Sequence, residues 1–432
     1  MSDALLVGTA EVDITPPVGT EMAGGLNPRK SEGIQDPLYA KAIVLESQGT
    51  KIAYVLLDLI ALYREDGDKA VELASRATGI PPDHIVWAAS HTHTGPYPCP
   101  VFGSDEPMKE IDREWLASVP GNFAEAVRKA HESRVPARMS RHRAYHIGLA
   151  HNRRLRFKDG REINTWLLES GEEDMQCLGA AGPVDPEIGI LAFEAENGQL
   201  LAVLFQYTLH ANTNFGRYFS ADYPAVVASR LREAFGVQVS TLYVPGACAD
   251  LNSAGYGYRQ VGDALADRII GKIKARKAPT SSVRLGACKR EVTVGYRDLT
   301  VDQEKRIRDS QWPPEGQEVF RQELEIMRKQ GITSCRTILQ AWHIGEVAFA
   351  SLPGELFLGW GLKIKEESPF PWTYPVELGG DYVGYLITHQ AWKAGGYEAL
   401  IARSAKPTPE AVEDMVNQSL EMLRDLYAAY RR

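Results

Sequence analysis

The chain has 432 residues, 44% of them hydrophobic and 24% charged, with a net charge of −8; this is folded-protein composition and excludes disorder and a broad nucleic-acid-binding face. The longest apolar run, 52–62, is interrupted by Asp58 and is far short of the roughly 20 residues that span a bilayer, and the first residues lack the basic and apolar regions of a secretory leader. Five cysteines, an odd number with no C-x-x-C pair, fit a reduced compartment and argue against a cysteine-built metal site. The expectation is a cytoplasmic chain with no membrane insertion and no nucleic-acid partner.

In chain order, the runs 42–46 and 52–59 read as strands joined in a hairpin by Ser47-Gln48-Gly49-Thr50. A helix is predicted over 66–78, a buried strand over 85–89 and a helix over 114–133. Strands 191–193 and 201–207 flank Asn197-Gly198, the strongest hairpin signal in the chain. A helix over 225–235, a strand over 239–244 and a helix over 261–277 follow. The charged stretch 302–329 reads as helical, 347–352 as a buried strand and 409–431 as a helix. Thr408 is a sound N-cap for that last helix, with Pro409 at its first turn. Hairpins mixed with interspersed helices predict an α/β fold whose core is a mixed β-sheet flanked by helices. The polar segment 297–334 is the loosest, and reads as a lid, an oligomer contact or a linking insertion.

Several apolar runs end in polar clusters. The run 85–89 leads into Ser90-His91-Thr92-His93-Thr94-Gly95-Pro96. Alternate residues of an extended strand share a face, so both imidazoles of this H-x-H can point at one metal ion. Alternatively one binds while the other is a neighbouring acid or donor, or both are hydrogen-bonded structural residues. The run 201–207 leads to His210, which alone reads more readily as structural. Gly246-Ala247-Cys248-Ala249-Asp250-Leu251-Asn252 offers small residues for close backbone approach, and Cys248, with nothing to activate it, is expected to pack. In Pro353-Gly354-Glu355 the carboxylate either favours a helix N-terminus or completes a His/His/Glu zinc set. Tyr382, Tyr385 and Tyr397 stand among glycines, as packing residues or, in a metal site, as ligands or oxyanion donors. Asp58 and Asp222 either orient ligand histidines or cap strand ends.

Other templates fit worse. H-E-x-x-H, G-x-S-x-G and the Walker A loop are absent, and Gly255-Tyr256-Gly257 is followed by Gln260 where a dinucleotide fingerprint needs glycine. Phosphoryl and hydride transfer therefore lose support.

Taken together, the segment 89–96, His210, the 246–252 loop, Pro353-Gly354-Glu355 and the pair Tyr385 and Tyr397 resemble the catalytic domain of the neutral/alkaline (non-lysosomal) ceramidase family. The segments 8–15 and 36–42 are similar to it too, so the resemblance runs from about 8 to 398. It implies one zinc-hydrolase domain over 1–432, with a helical insertion around 297–334 and Zn2+ as cofactor. Carried over residue by residue, His91 and His210 match the family's zinc histidines, Glu355 its carboxylate ligand and Tyr385 its tyrosine ligand. His93 is similar to the histidine beside the scissile amide, Arg153 to the arginine facing the substrate oxygen, and Tyr397 to the tyrosine that polarises the carbonyl. The chain departs from the family at Asp250-Leu251-Asn252, and in lacking the leader and immunoglobulin-like domain of the secreted members. Those departures shift the expected substrate from a long-chain ceramide to a small or medium soluble amide.

The expected activity is thus zinc-dependent hydrolysis of a C–N amide bond. An esterase or lactonase on the same metal, and a non-catalytic binding protein on the same fold, are the alternatives. A metallophosphoesterase would need a second metal about 3.5–4 Å from the first, and more carboxylates than can be placed. The expected partner is a small-molecule amide or ester, and base rates favour a homo-oligomer, a dimer first. Pocket walls are expected from 97–109, 159–174 and 297–334, with Tyr97, Phe102, Phe215, Tyr256 and Trp392 as its apolar lining.

Overall fold

The computed structural model describes residues 4–26, 29–98, 102, 104, 106–168, 176–275, 278–300 and 302–432; Cys99 and parts of 97–109 and 159–174 lie outside them. Eight strands form one mixed sheet, in the order Ser240–Pro245, Leu200–Tyr207, Glu187–Ala195, Val135–Tyr145, Leu5–Asp13, Tyr39–Ser47, Thr50–Leu57 and Ile85–Ala89. The centre is antiparallel, and the outermost pair at each edge is parallel. A second sheet has the order Leu285–Gly295, Ser334–Ile344, Val347–Ser351 and Trp372–Val376, and ends in a third parallel pair.

Side-chain alternation stacks these sheets. On Thr50–Leu57, Ile52, Tyr54 and Leu56 pack in the core between the sheets, whereas Ala53, Val55 and Leu57 pack against helices Arg64–Thr78 and Glu110–Glu132. The second sheet turns Trp342 and Phe349 inward, and Leu339, Ala341 and Ala348 outward onto helices Leu358–Glu367 and Pro409–Arg431. The order is helix, sheet, sheet, helix. Strands covered on both faces read as unbroken apolar runs, and that is why Thr50–Leu57 and Val347–Ser351 were legible. The Trp342 ring joins the layers, stacked on Tyr54 at 5.7 Å and on Phe349 at 4.9 Å.

The 47–50 hairpin has positive φ at both Gln48 (50°) and Gly49 (80°), the type I′ geometry that matches strand twist. The predicted 302–329 helix is two, Gln303–Arg308 and Pro314–Gln330, because Pro313-Pro314 ends one helical path and starts the next. Five strands of these two sheets escaped the pattern: Leu5–Asp13, Val135–Tyr145, Leu285–Gly295, Ser334–Ile344 and Trp372–Val376. Val135–Tyr145 carries Arg141 and Arg143 on its open face, paired with Glu346 and Glu187, so its run is broken by charge. Leu285–Gly295 is an edge strand, and its Lys289-Arg290-Glu291 is the charge that blunts such edges. Among the described residues no helix is long and apolar enough to cross a membrane.

Neighbouring strands rotate by roughly 20–25°. Over eight strands this turns one edge of the large sheet back toward the other, and the Tyr54 hydroxyl donates to the Tyr243 carbonyl at 2.9 Å. The C-terminal ends of all three parallel pairs meet there. Ala89 N–H donates to Leu378 O (3.1 Å), Glu377 N–H to Pro245 O (3.2 Å) and Leu352 N–H to Val376 O (2.9 Å).

Phe349→Ala opens a cavity between the sheets and should cost about 3–5 kcal/mol. Urea unfolding checks this: the midpoint falls while the slope stays constant.

Candidate metal centre

The strand Ile85–Ala89 stops before the histidines, and the shared strand face expected for His91 and His93 is not what aligns them. His91 has a φ of 64°, a left-handed backbone that is uncommon outside glycine. Such a residue costs of order 1–3 kcal/mol and persists where its surroundings dictate it. Here Leu59 O accepts its N–H at 2.9 Å, Ile60 O accepts its Nδ1–H at 2.8 Å, and Ala211 O accepts the N–H of His93 at 3.0 Å.

Those carbonyls settle the tautomers, because a carbonyl only accepts. His91 Nδ1 donates to Ile60 O, His210 Nδ1 to Cys248 O (3.0 Å) and His93 Nδ1 to Gly24 O (3.3 Å). Each neutral ring therefore carries its lone pair on Nε2. Yet His91 Nε2 stands 2.9 Å from His210 Nε2 and 3.4 Å from His93 Nε2. Glu355 Oε2 lies 3.4 Å from His91 Nε2 and 3.7 Å from His210 Nε2, buried and with no hydrogen-bond partner among the described residues. Three nitrogen lone pairs and a carboxylate oxygen facing one another repel, unless a proton or a cation lies among them. His91, His93 and His210 form a group that could hold a metal ion, and Glu355 adds the hard ligand that zinc accepts beside imidazole. Burial lowers the affinity of His91 for a proton, but Glu355 outweighs it and holds the ring above its usual range. Burial, with His91 next, keeps His93 and His210 well below theirs.

Glu355 Oε1 accepts the Tyr382 hydroxyl at 2.9 Å. Burial pushes the Glu355 carboxyl up, yet His91 and Arg153 hold it below the usual range. Tyr385 stands beside it, and the Tyr385 hydroxyl accepts from an Arg153 guanidinium nitrogen at 3.2 Å. Arg153 is itself fixed by Glu398 at 2.9 Å. The Tyr397 ring meets Tyr385 edge-on, and burial raises both phenols, so both keep their protons. All seven residues singled out in the sequence therefore lie around one cleft: six line a cavity of about 410 Å³, and His210 sits buried behind it.

Three acidic residues outside that set hold it together. Glu377 is fully buried, and burial raises its pKa to about 7. One of its oxygens accepts both Cys248 N–H and Leu356 N–H, each at 3.1 Å, so it staples the loop that orients His210 to the loop that carries Glu355. The other accepts the Cys248 thiol at 2.9 Å, and burial with this carboxylate drives that thiol well up, away from reactivity. Glu398 joins Arg153 to Arg154, and Asp250 accepts from Asn152 (2.8 Å) and from Leu358 N–H (2.8 Å). A buried acid after an apolar strand was the available signal for Glu377; nothing local marks Glu398. Asp58 and Asp222 do not reach the histidines. Asp58 pairs with Lys41 at 3.1 Å, and Asp222 caps helix Tyr223–Phe235.

Tyr97, Phe102 and Phe215 line the cavity as expected, but Tyr256 and Trp392 do not. Trp392 instead lies under Arg306 and Arg297, at 4.0 and 4.5 Å. Trp166, Trp312, Tyr63 and Tyr382 supply the aromatic wall in their place, and Trp312 with Glu323 brings the 297–334 segment over it.

In comparisons with solved structures, the chain superposes on the neutral ceramidase from Pseudomonas aeruginosa with a TM-score of 0.74 at 16% identity, covering 99% of this chain and 75% of that one. A ceramidase complexed with C2 gives 0.72 at 15% identity, covering 99% and 76%. No family model and no curated protein matches by sequence. The chain thus has the fold of the ceramidases, a mixed α/β architecture, and at this identity the likeness is one of fold.

Gly24 has a φ of 91°, and a Cβ there would stand 2.5 Å from His93 Cβ. Gly24→Ala should displace His93 and lower activity by about 10²-fold, the usual effect of a misplacement of about 1 Å. Steady-state kinetics check this, with a far-ultraviolet spectrum that stays native.

Proposed function

We propose that this protein is a zinc-dependent hydrolase that cleaves the C–N amide bond of a small or medium substrate. The observation that carries the reading is the buried meeting of three imidazole Nε2 atoms with a Glu355 oxygen that has no hydrogen-bond partner among the described residues, an arrangement that a divalent cation relieves. In this reading His91, His210, Glu355 and Tyr385 hold the metal. Bound there, zinc would lower the pKa of a water molecule to roughly 7 and polarise a carbonyl.

The remaining roles fall to the chain itself. Arg153, held by Glu398, and Tyr397, whose raised pKa keeps its proton in place, present donors to a substrate oxygen as it gains charge. His93 is neutral and has its Nδ1–H committed to Gly24, which leaves Nε2 to take up a proton and pass it to the departing nitrogen. Ester or lactone cleavage would use the same groups, and matched amide and ester substrates separate the two. The ceramidase names of the structural neighbours support amide chemistry. The three-histidine geometry favours a second assignment, in which His93 ligates the metal in place of Tyr385.

Elemental analysis of the purified chain should find one zinc per chain, absent in His210→Ala. His93→Ala should keep the metal and lose turnover; loss of metal there would favour the second assignment. No metal in the wild type after zinc is offered would overturn the reading. Tyr397→Phe, tested by kcat on an amide substrate, should cost about 10²–10³-fold, as the loss of one oxyanion donor does elsewhere.

A further inference from the structure

Among the described residues three arginines line the cavity, and two of them are neutralised. Arg153 pairs with Glu398 at 2.9 Å and Arg403 with Glu323 at 2.6 Å. Arg29 differs. Its guanidinium donates to three backbone carbonyls, Gly216 O at 2.9 Å, Ala23 O at 2.5 Å and His93 O at 2.5 Å. Among the described residues it has no carboxylate partner, and its Nε–H is buried with no acceptor. Carbonyls fix a guanidinium in place without cancelling its charge, so a partly buried cation is held ready beside the histidines with its counter-charge missing.

The rest of the cavity is divided. Arg29 meets the carbonyl of His93, while Trp166 lies against Arg153 and packs with Trp312 around Tyr397, at ring-centroid distances of 6.0 and 5.8 Å from it. At about 410 Å³ the cavity falls within the usual range of small-molecule sites.

Building on the amide-hydrolase reading, we propose that the substrates are amides bearing a carboxylate, which Arg29 binds while a flat apolar group on the other side of the scissile bond packs on Trp166 and Trp312. The carbonyls leave one Nη1 proton, from which a carboxylate would accept a charge-assisted hydrogen bond backed by the uncancelled charge of the guanidinium.

The test compares kcat/KM on zinc-loaded protein for amides that differ only in the anion: N-benzoylglycine against N-benzoylaminoethanol, and, for the reverse orientation, N-benzylsuccinamic acid against N-benzyl-4-hydroxybutanamide. In one pair the acid should be preferred at least about tenfold, mainly through KM. Arg29→Gln should bring that ratio to near one, and Arg29→Lys should keep part of it. Equal turnover of acid and neutral amide, or an Arg29→Gln variant that lowers both alike, would overturn the substrate class and leave the hydrolase standing. Absence of turnover on every amide would overturn the hydrolase reading, and the substrate class with it.

Discussion

Lone pairs do not gather without a reason. Ile60, Cys248 and Gly24 each use a backbone carbonyl to turn the proton of a histidine away from the centre, so His91, His210 and His93 present bare nitrogens to one another and to Glu355. Each carbonyl belongs to a loop that follows or supports a strand end, so a small error in any loop changes which nitrogen is bare. The left-handed backbone of His91 is tolerated for the same reason: an extended residue there would send the ring elsewhere.

The sheet architecture supplies the loops. An antiparallel sheet alone would scatter strand ends to both edges. Here parallel pairs occupy both edges of the large sheet and one edge of the small one, and twist brings their C-terminal ends together. The first pair carries His91 and His93, the second His210 and Asp250, the third Glu355 and Glu377. A ligand site outside the carboxyl ends of parallel strands is the general expectation for α/β sheets. Three such pairs sharing one site is the particular solution of this chain.

Much of this was legible in the sequence, because strands covered on both faces are continuous apolar runs and each ends abruptly in polar residues. The hairpins at Gln48-Gly49 and Asn197-Gly198 and the cap at Thr408 follow from local turn and cap chemistry. What was hidden is whatever depends on distant partners. Val135–Tyr145 looks polar because its arginines pair with Glu187 and Glu346, far away in the chain. Asp222 and Glu377 are both acids next to an apolar segment. One caps a helix and the other staples two loops, a difference no local pattern carries.

Behind the three histidines and Glu355 lies a second electrostatic arrangement. Glu162, Arg154, Glu398 and Arg153 form an alternating buried chain that ends on the Tyr385 hydroxyl. Gly396, with a φ of 87°, leaves room for the Arg154 guanidinium, which a Cβ would meet at 2.6 Å. Removing one member of such a chain strands a buried charge, which costs far more than the intact pair contributes. The chain therefore acts less as a source of stability than as a restriction: Arg153 is kept charged, oriented and already neutralised, able to donate a hydrogen bond without acting as the net counter-charge of the cavity. That leaves electrostatic recognition to whichever cation the fold has not paired, and among the described residues that line the cavity this is Arg29. In the proposed reading, Arg153 then serves hydrogen bonding at the reacting carbonyl and Arg29 charge recognition.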